Sequence, residues 1–312
     1  MSRVAYLWDR RCLEHDTGAH VECIARGQRL APEAMAPRIP DAAIRPIVER
    51  DAVEWIVRVH SRQYHDWVRQ SCADGVRCLD QGDTVVCPQS YNAAIASVDA
   101  GLTAADLVMS GEFDRAFSAM RPPGHHALPD RAMGFCLFAN VAIVARYLQA
   151  RHAVGRIAVV DWDVHHGNGT HDIFYDDDSV LFISLHQYPL WPGTGSSRQR
   201  GTGRGEGFTL NLPIAPYTPA SDYMQTFRDG VLPALDKYAP ELLLISAGFD
   251  AHRDDPIAQL RLTEDDFAAM TRHLAAVAAA SCGGRIISLL EGGYNLDALS
   301  ASVAAHVNEL AE

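Results

Sequence analysis

Basic residues are scarce in this sequence. Its 312 residues include 27 Lys and Arg against 39 Asp and Glu, which gives a formal net charge of −12. Proteins that bind nucleic acid usually show a basic balance or a basic patch, so this composition argues against nucleic acid as a partner. The negative charge suits a cationic substrate or product, although an acidic surface also serves solubility alone.

Three other features are missing. None of the cysteines forms the C-x-x-C pair of a thiolate zinc site, and their odd number, seven, indicates reduced thiols. No stretch reaches the ~18 consecutive apolar residues of a membrane span. No apolar run follows a basic N-terminus, so we expect no signal peptide. These absences predict a cytoplasmic protein with no membrane partner.

Short apolar runs alternate with amphipathic stretches. We predict strands at residues 4–8, 116–120, 157–160, 180–185, 208–212, 242–246 and 286–290. We predict helices at residues 91–108, 139–150, 220–238, 264–280 and 296–310. This alternation predicts an α/β fold with a central, mostly parallel sheet and helices on both faces. We interpret residues 1–312 as one domain, and residues 31–46 and 189–207 as long loops.

Polar residues cluster directly after four of the predicted strands. The clusters are RPPGHH (121–126), DWDVHHGNG (161–169), GFD (248–250) and EGGY (291–294). In open α/β sheets, ligands bind outside the carboxyl ends of the strands. We therefore expect the four clusters to meet at one edge of the sheet.

Three residues in these clusters are candidate metal ligands. Asp163 and His165 share one side of an extended segment because residues two apart point the same way. Asp250 arrives from another strand end as a third ligand, with Asp161 just behind. Carboxylate and imidazole ligands that leave one position open are the form of a catalytic zinc site. The alternative is a buried salt-bridge cluster, but three carboxylates need a cation in order to coexist.

Two histidines and a tyrosine complete the candidate chemistry. His125 and His126 follow a rigid Pro-Pro-Gly turn. A metal hydrolase needs a base for its water and an acid for the leaving amine, and two histidines could divide or share that work. Tyr294 follows two glycines, and its hydroxyl could stabilise an oxyanion. The alternatives are exposed histidines in a turn and a tyrosine that only packs.

Together these motifs resemble the histone deacetylase superfamily, which includes the acetylpolyamine amidohydrolases. The matching segments, in the family's order, are RPPGHHA (121–127), GFC (134–136), DWDVHHGNG (161–169), FISLH (182–186), GTGRGEGFTLNLP (201–213), SAGFDAH (246–252) and LEGGYN (290–295). The resemblance runs from about Arg50 to the C-terminus, and more loosely includes His20 and Glu22. Asn168 resembles class II members, and the loop at 186–195 resembles bacterial-type members. The resemblance implies an arginase-like α/β fold and a zinc-dependent deacetylase, an amide hydrolase acting on non-peptide C–N bonds.

The resemblance also implies ion sites. One catalytic zinc would be held by Asp163, His165 and Asp250. Structural potassium would use Asp161, Asp163, His165, Ser184 and Leu185. A second potassium would lie near Phe174 and Val180.

The resemblance assigns further roles around the metal. His125 and His126 form the acid/base pair, with Asp161 and Asn168 as their respective partners, and Tyr294 is the oxyanion donor. The substrate channel is assigned to Gly134, Phe135, Gly293 and Ile257. A carboxylate favours the charged imidazolium and an amide does not, so we expect His126 to be the neutral base and His125 a charged stabiliser.

The substrate is expected to be acetyl-lysine or a related acylated amine. The alternative is an acetylpolyamine or small-amide amidohydrolase. Ile257 stands where polyamine-selective relatives often carry an acid, which favours acetyl-lysine, unless another acid such as Asp83, Asp254 or Asp255 reaches the same part of the rim. An arginase-like ureohydrolase, which usually holds two manganese ions, and a non-catalytic acyl-lysine binder are weaker interpretations. The histidine pair and Tyr294 favour an enzyme with a single zinc.

Overall fold

The structure is a computed structural model that describes all 312 residues. One sheet of eight strands runs through it: β1 Val4–Leu7, β2 Ala42–Arg45, β3 Arg115–Ser118, β4 Ile157–Asp161, β5 Val180–Gln187, β6 Thr209–Ile214, β7 Leu242–Ala247 and β8 Ile286–Leu290. The order across the sheet is β2-β1-β3-β8-β7-β4-β5-β6, and every neighbouring pair is parallel.

Eleven α-helices accompany the sheet. They are α1 Ile24–Arg29, α2 Pro32–Met35, α3 Ala52–Ile56, α4 Arg62–Ala73, α5 Ser90–Met109, α6 Asn140–His152, α7 Asn168–Ile173, α8 Ala220–Thr226, α9 Leu232–Tyr238, α10 Glu264–Ser281 and α11 Leu296–Ala311. A π-helical segment, Phe227–Val231, joins α8 to α9, and 3₁₀ turns occupy Arg10–Leu13 and Gly203–Gly205. No helix is long and apolar enough to cross a membrane.

The strands are buried on both faces of the sheet. In β1, Val4 and Tyr6 belong to one buried cluster, whereas Ala5 and Leu7 belong to another. Helices α10 and α11 contribute side chains to the first cluster, and α5 and α6 contribute to the second. Burial on both faces explains why the strands are continuous apolar runs rather than alternating ones. The predicted α/β fold, with a parallel sheet and helices on both faces, is confirmed.

Two local predictions differ from the structure. Residues 31–46 were expected to be a loop, but they contain α2 and the edge strand β2, which is only half-buried. An edge strand with exposed residues lacks the apolar run that marks a central strand. The helix expected at 220–238 is interrupted by the π-helical segment, where Gly230 packs closely against Leu212.

The sheet order explains how distant polar clusters can meet. The four strands that precede the clusters, β3, β8, β7 and β4, are consecutive neighbours in the centre of the sheet. Because all of them are parallel, their carboxyl ends lie along one edge. Residues separated by more than 160 positions in the chain are thereby brought into contact: Gly124 and His125 bond to Glu291.

Candidate active site

Asp163, His165 and Asp250 meet at this edge of the sheet. All three are buried, and one potential ligand atom from each lies within 4.8 Å of the others. Backbone N–H groups hold the carboxylates in place: Val164 donates to Asp250 Oδ1 at 2.8 Å, and Gly292 donates to Asp163 Oδ2 at 2.7 Å. The remaining oxygen of Asp250, Oδ2, is buried and accepts no hydrogen bond, and it lies 3.3 Å from Nδ1 of the second candidate ligand His165.

This donor set fits a divalent cation. Burial, together with the negative charge of Asp163, raises the pKa of Asp250 to about 7. Two carboxylates in one buried site repel each other unless a cation lies between them. A side chain at Gly248 would collide with the carboxylate of Asp163, and one at Gly292 with both carboxylates. Glycine at these two positions therefore lets the backbone approach both carboxylates closely.

His125 and His126 lie side by side next to this site, with ring centroids 3.9 Å apart. Their Nδ1 atoms have different partners: Asp161 Oδ2 lies 2.9 Å from His125, and Asn168 Oδ1 lies 2.7 Å from His126. Burial alone would lower the pKa of His125, but the carboxylates of Asp161 and Asp163 hold it well above its usual value. Burial and the neighbouring His125 hold the pKa of His126 well below its usual value.

Tyr294 faces the same site from the loop after β8. Its backbone N–H donates to Asp255 Oδ2 at 2.7 Å, and the guanidinium of Arg26 lies 5.0 Å from its ring centroid. Burial raises the pKa of the phenol well above its usual value, so the hydroxyl keeps its proton and can donate it in a hydrogen bond.

A pocket of about 600 Å³ opens onto these groups. Its lining includes His126, His165, Tyr294 and the expected channel residues Gly134, Phe135 and Ile257. Gly134 has a φ of +57°, and a side chain there would strike the His126 ring. Phe135 packs edge-on against Tyr294, with ring centroids 5.9 Å apart.

Gly293 directly precedes the pocket residue Tyr294. It is not among the residues that line the pocket, although it was assigned to the channel. Its φ is +119°, and its carbonyl accepts a hydrogen bond from Arg26 at 2.7 Å. Its visible contribution is to the shape of the Tyr294 loop.

The residues expected to hold potassium include two of the candidate metal ligands and lie beside the third. Asp161 and Ser184 are paired in register across β4 and β5, and both are fully buried. Leu185 follows Ser184 and is also buried. Phe174 and Val180 are buried at the end of α7 and the start of β5, where the guanidinium of Arg146 lies 4.8 Å from the Phe174 ring centroid.

The sequence offered Asp83, Asp254 and Asp255 as acids that could reach the pocket rim, but it did not identify Trp191, Asp80 or Arg131. Trp191 comes from the long loop after β5 and packs 4.8 Å from His126, centroid to centroid. Asp80, Asp83 and Arg131 also line the pocket. Asp255 is buried and accepts N–H bonds from the backbone of Tyr294 and Ile257. No local pattern in the sequence marks Trp191, Asp80 or Arg131, because each reaches the pocket through a loop.

Comparisons with known proteins agree with this geometry. Residues 20–310 match the histone deacetylase domain family. A histone deacetylase-like amidohydrolase from Pseudomonas aeruginosa is 39% identical, over 94% of this chain and 82% of that protein. A human protein called polyamine deacetylase HDAC10 is 40% identical, over 81% of this chain but only 39% of its own length.

A solved structure shows the same architecture. The HDA15 HD domain superposes with a TM-score of 0.91 at 33% identity, covering 100% of this chain and 90% of that one. The family match spans almost the whole chain, and the fold and the motifs agree with it. The chain therefore belongs to the histone deacetylase family of amidohydrolases.

Proposed function

We propose that this protein is a zinc-dependent deacetylase that hydrolyses the amide of acetyl-lysine or of a related acylated amine. One observation carries the proposal: the candidate metal ligand His165, the histidine His126 and the phenol of Tyr294 open onto the same pocket. A ligand site, a base and an oxyanion donor are the groups that amide hydrolysis requires.

Zinc would be held by Asp163, His165 and Asp250. When bound, it would supply Lewis-acid activation of the amide carbonyl and of water. The burial of all three residues, the short distances between their potential ligand atoms and the lack of a hydrogen bond to Oδ2 of Asp250 support this assignment. It is the one group of three or more such ligands in the chain, which favours a single-metal deacetylase over a two-metal ureohydrolase.

The histidines divide the proton transfers in this mechanism. With its Nδ1–H donated to Asn168, His126 presents a neutral Nε2 that can accept a proton from attacking water. His125 stays charged beside Asp161 and stabilises the negative charge that develops. His126 lines the pocket and His125 does not, which supports the base assignment.

Tyr294 and the pocket walls act on the substrate itself. The protonated phenol donates a hydrogen bond to the oxyanion as it forms. Gly134, Phe135 and Trp191 supply an apolar wall along which a lysine-like methylene stem can pack. The amine that leaves takes a proton from the histidine pair.

Two further assignments complete the proposal. Structural potassium would lie at Asp161 and Ser184, supported by their pairing across β4 and β5. The second site, at Phe174 and Val180, has weaker support because Arg146 already places a cation there. Residues 1–312 would form a single catalytic domain, which the continuous sheet from β1 to β8 supports.

Removing one candidate ligand tests the metal site. We expect Asp250→Ala to lose both bound zinc and hydrolysis of a fluorogenic acetyl-lysine peptide, because two protein ligands rarely hold zinc tightly. Asp254→Ala is the matched control, since Asp254 is an exposed acid four residues away that does not line the pocket. Full zinc content and full activity in Asp250→Ala would reject the site.

Tyr294→Phe separates the oxyanion donor from the metal. We expect this variant to keep its zinc and to lose about 10²–10³ in kcat, the usual cost of removing one oxyanion donor. Metal content by elemental analysis and kcat on the same peptide are the measurements. A kcat within a few-fold of the parent would show that another group stabilises the oxyanion.

A further inference from the structure

Glu291 is a fully buried carboxylate that the mechanism above does not use. It follows directly after β8 and is 0% exposed. Its Oε2 accepts the backbone N–H of Gly124 at 2.7 Å and that of His125 at 3.1 Å. Its Oε1 has no hydrogen-bond partner. The only hydrogen bonds of this carboxylate therefore go to the turn that carries the tandem histidines.

The backbone of Glu291 is held as firmly as its side chain. Its N–H donates to the carbonyl of Ala247 at 3.0 Å, and its carbonyl accepts from the guanidinium of Arg26. The next residue, Gly292, donates to the candidate metal ligand Asp163. Glu291 is thus tied to β7, to the N-terminal segment and to the metal site before its side chain reaches the histidine turn.

The histidine turn needs an acceptor at this point. Pro122 and Pro123 have no N–H, so Gly124 and His125 carry the first two donors of the turn. Gly124 also packs against the backbone of Phe138 and Asn140, so a side chain at this position would collide with them. Two adjacent N–H groups that converge on one oxygen form a concave site that a carboxylate fills well.

We propose that Glu291 is a positioning residue that fixes the His125–His126 turn relative to Tyr294. This inference rests on the proposed function, because it concerns the distance between the acid/base pair and the oxyanion donor. Tyr294 lies three residues after Glu291 on the same loop. Glu291 therefore connects the turn that carries the histidine pair to the loop that carries the oxyanion donor. Burial raises the pKa of Glu291 to about 7, but Oε2 accepts hydrogen bonds whether or not the other oxygen carries a proton.

The expected consequence is a loss of turnover rather than of binding. If the turn moves by about 1 Å, the base no longer meets the attacking water, and such a misplacement costs about 10²-fold in rate. Substrate contacts with Phe135 and Trp191 do not pass through Glu291, so KM should change little.

Two variants distinguish the position of the acceptor from its charge. Glu291→Asp keeps the charge but is one methylene shorter, so its oxygen cannot reach both N–H groups. Glu291→Gln keeps the length and an acceptor oxygen but removes the charge. Glu309→Gln is the control, because Glu309 on α11 is also largely buried but pairs with Arg272 on α10, away from the pocket. The measurements are kcat, KM, zinc content and hydrogen exchange of a peptide spanning residues 121–127.

We expect Glu291→Asp to lose about 10–100-fold in kcat with KM nearly unchanged, and its Gly124 and His125 amides to exchange faster. Glu291→Gln should retain most of the turnover and the slow exchange. Slow exchange and parental kcat in Glu291→Asp would overturn the proposal, as would a Glu291→Gln variant as impaired as Glu291→Asp. If the parent hydrolyses no acylated amine, the proposed function fails, and the exchange rates alone still decide whether Glu291 holds the turn.

Discussion

His125 and His126 are consecutive residues, yet their surroundings drive them to opposite charge states. The carboxylate of Asp161 favours a proton on His125, whereas the amide of Asn168 supplies no charge to His126. Once His125 is charged, it further disfavours a proton on the ring beside it. Adjacent imidazoles thereby become one stable cation and one available base.

This asymmetry predicts unequal mutant effects. His126→Ala should lower kcat/KM more than His125→Ala, because it removes the neutral base, whose contribution is about 10²–10⁴-fold. Both variants should keep their zinc, which elemental analysis checks alongside the kinetics. Equal losses would mean that the two histidines share the role.

Asp99 is a buried carboxylate whose charged form lowers the stability of the folded state at neutral pH. It lies in α5, is 1% exposed, and its Oδ1 has no hydrogen-bond partner. Burial raises its pKa to about 6, against the partial compensation of Arg50 and Arg11. The folded state therefore binds a proton that the unfolded state releases, so this group's contribution to stability falls as pH rises from about 4 to 6.

Asp99→Asn should remove that penalty. We expect its free energy of unfolding at pH 8 to exceed that of the parent by about 1–2 kcal/mol, a gain that disappears near pH 4, where the carboxyl is neutral. Urea unfolding at pH 4, 6 and 8 measures the difference, with the exposed Asp236→Asn as control. A gain that is the same at all three pH values would rule out a titration effect.

At the scale of elements, the packing of α5 against α6 and the sheet depends on one glycine. A Cβ on Gly101 would lie 2.5 Å from Val144 and 3.3 Å from Leu289. Alanine would favour the helix by up to ~1 kcal/mol, but overpacking typically costs about 1–3 kcal/mol.

We therefore expect Gly101→Ala to lower the Tm. Gly155→Ala is a suitable control, because the added methyl would meet only Glu241, at ordinary contact distance. Thermal unfolding followed by circular dichroism compares the two. A Tm for Gly101→Ala at or above that of the parent would show that α5 and α6 can separate without cost.

The elements that could be predicted are those whose own sequence shows the apolar run of a buried strand or the apolar spacing of a buried helix face. The central strand β8, Ile286–Leu290, is apolar except for Ser288, and the sequence predicts it with both ends correct. The edge strand β2 is four residues long, half-exposed, and lies between Pro40 and Pro46. Its pairing with β1 depends on the rest of the sheet and not on its own composition.

At the scale of the whole molecule, charge and pocket shape bear on substrate choice. The net charge of −12 attracts cations, but only diffusely and with screening by salt. At the pocket rim, the carboxylate of Asp80 is engaged by Thr84 and nearby backbone N–H groups. Asp83 remains available, and Arg131 lines the same pocket with the opposite charge. Ile257 adds no acid, so the second cation of a polyamine gains little there.

We expect kcat/KM to be higher for an acetyl-lysine peptide than for acetylputrescine or acetylspermidine at physiological salt. Asp83→Asn should raise that ratio further, because it removes the one free rim carboxylate, while Asp254→Asn should leave it unchanged. A parental ratio well below one would make the acetylpolyamines the preferred substrates.

The sequence by itself determined which residues are the candidate catalytic and metal-binding residues of this protein. The motifs around His125, Asp163, Asp250 and Tyr294 follow apolar strands directly, so their placement at one edge of a parallel sheet needed only local pattern and the rule for strand ends. The family resemblance follows from the same residues in the same order.

Only the tertiary structure decided which distant residues complete the site. Trp191 reaches His126 from a long loop, Asp255 turns inward to the Tyr294 backbone, and Glu291 bridges to a turn 167 residues earlier. Such contacts depend on how loops fold back over the sheet and on the order of its strands. That order is set by packing between elements far apart in the chain, which no local window of sequence contains.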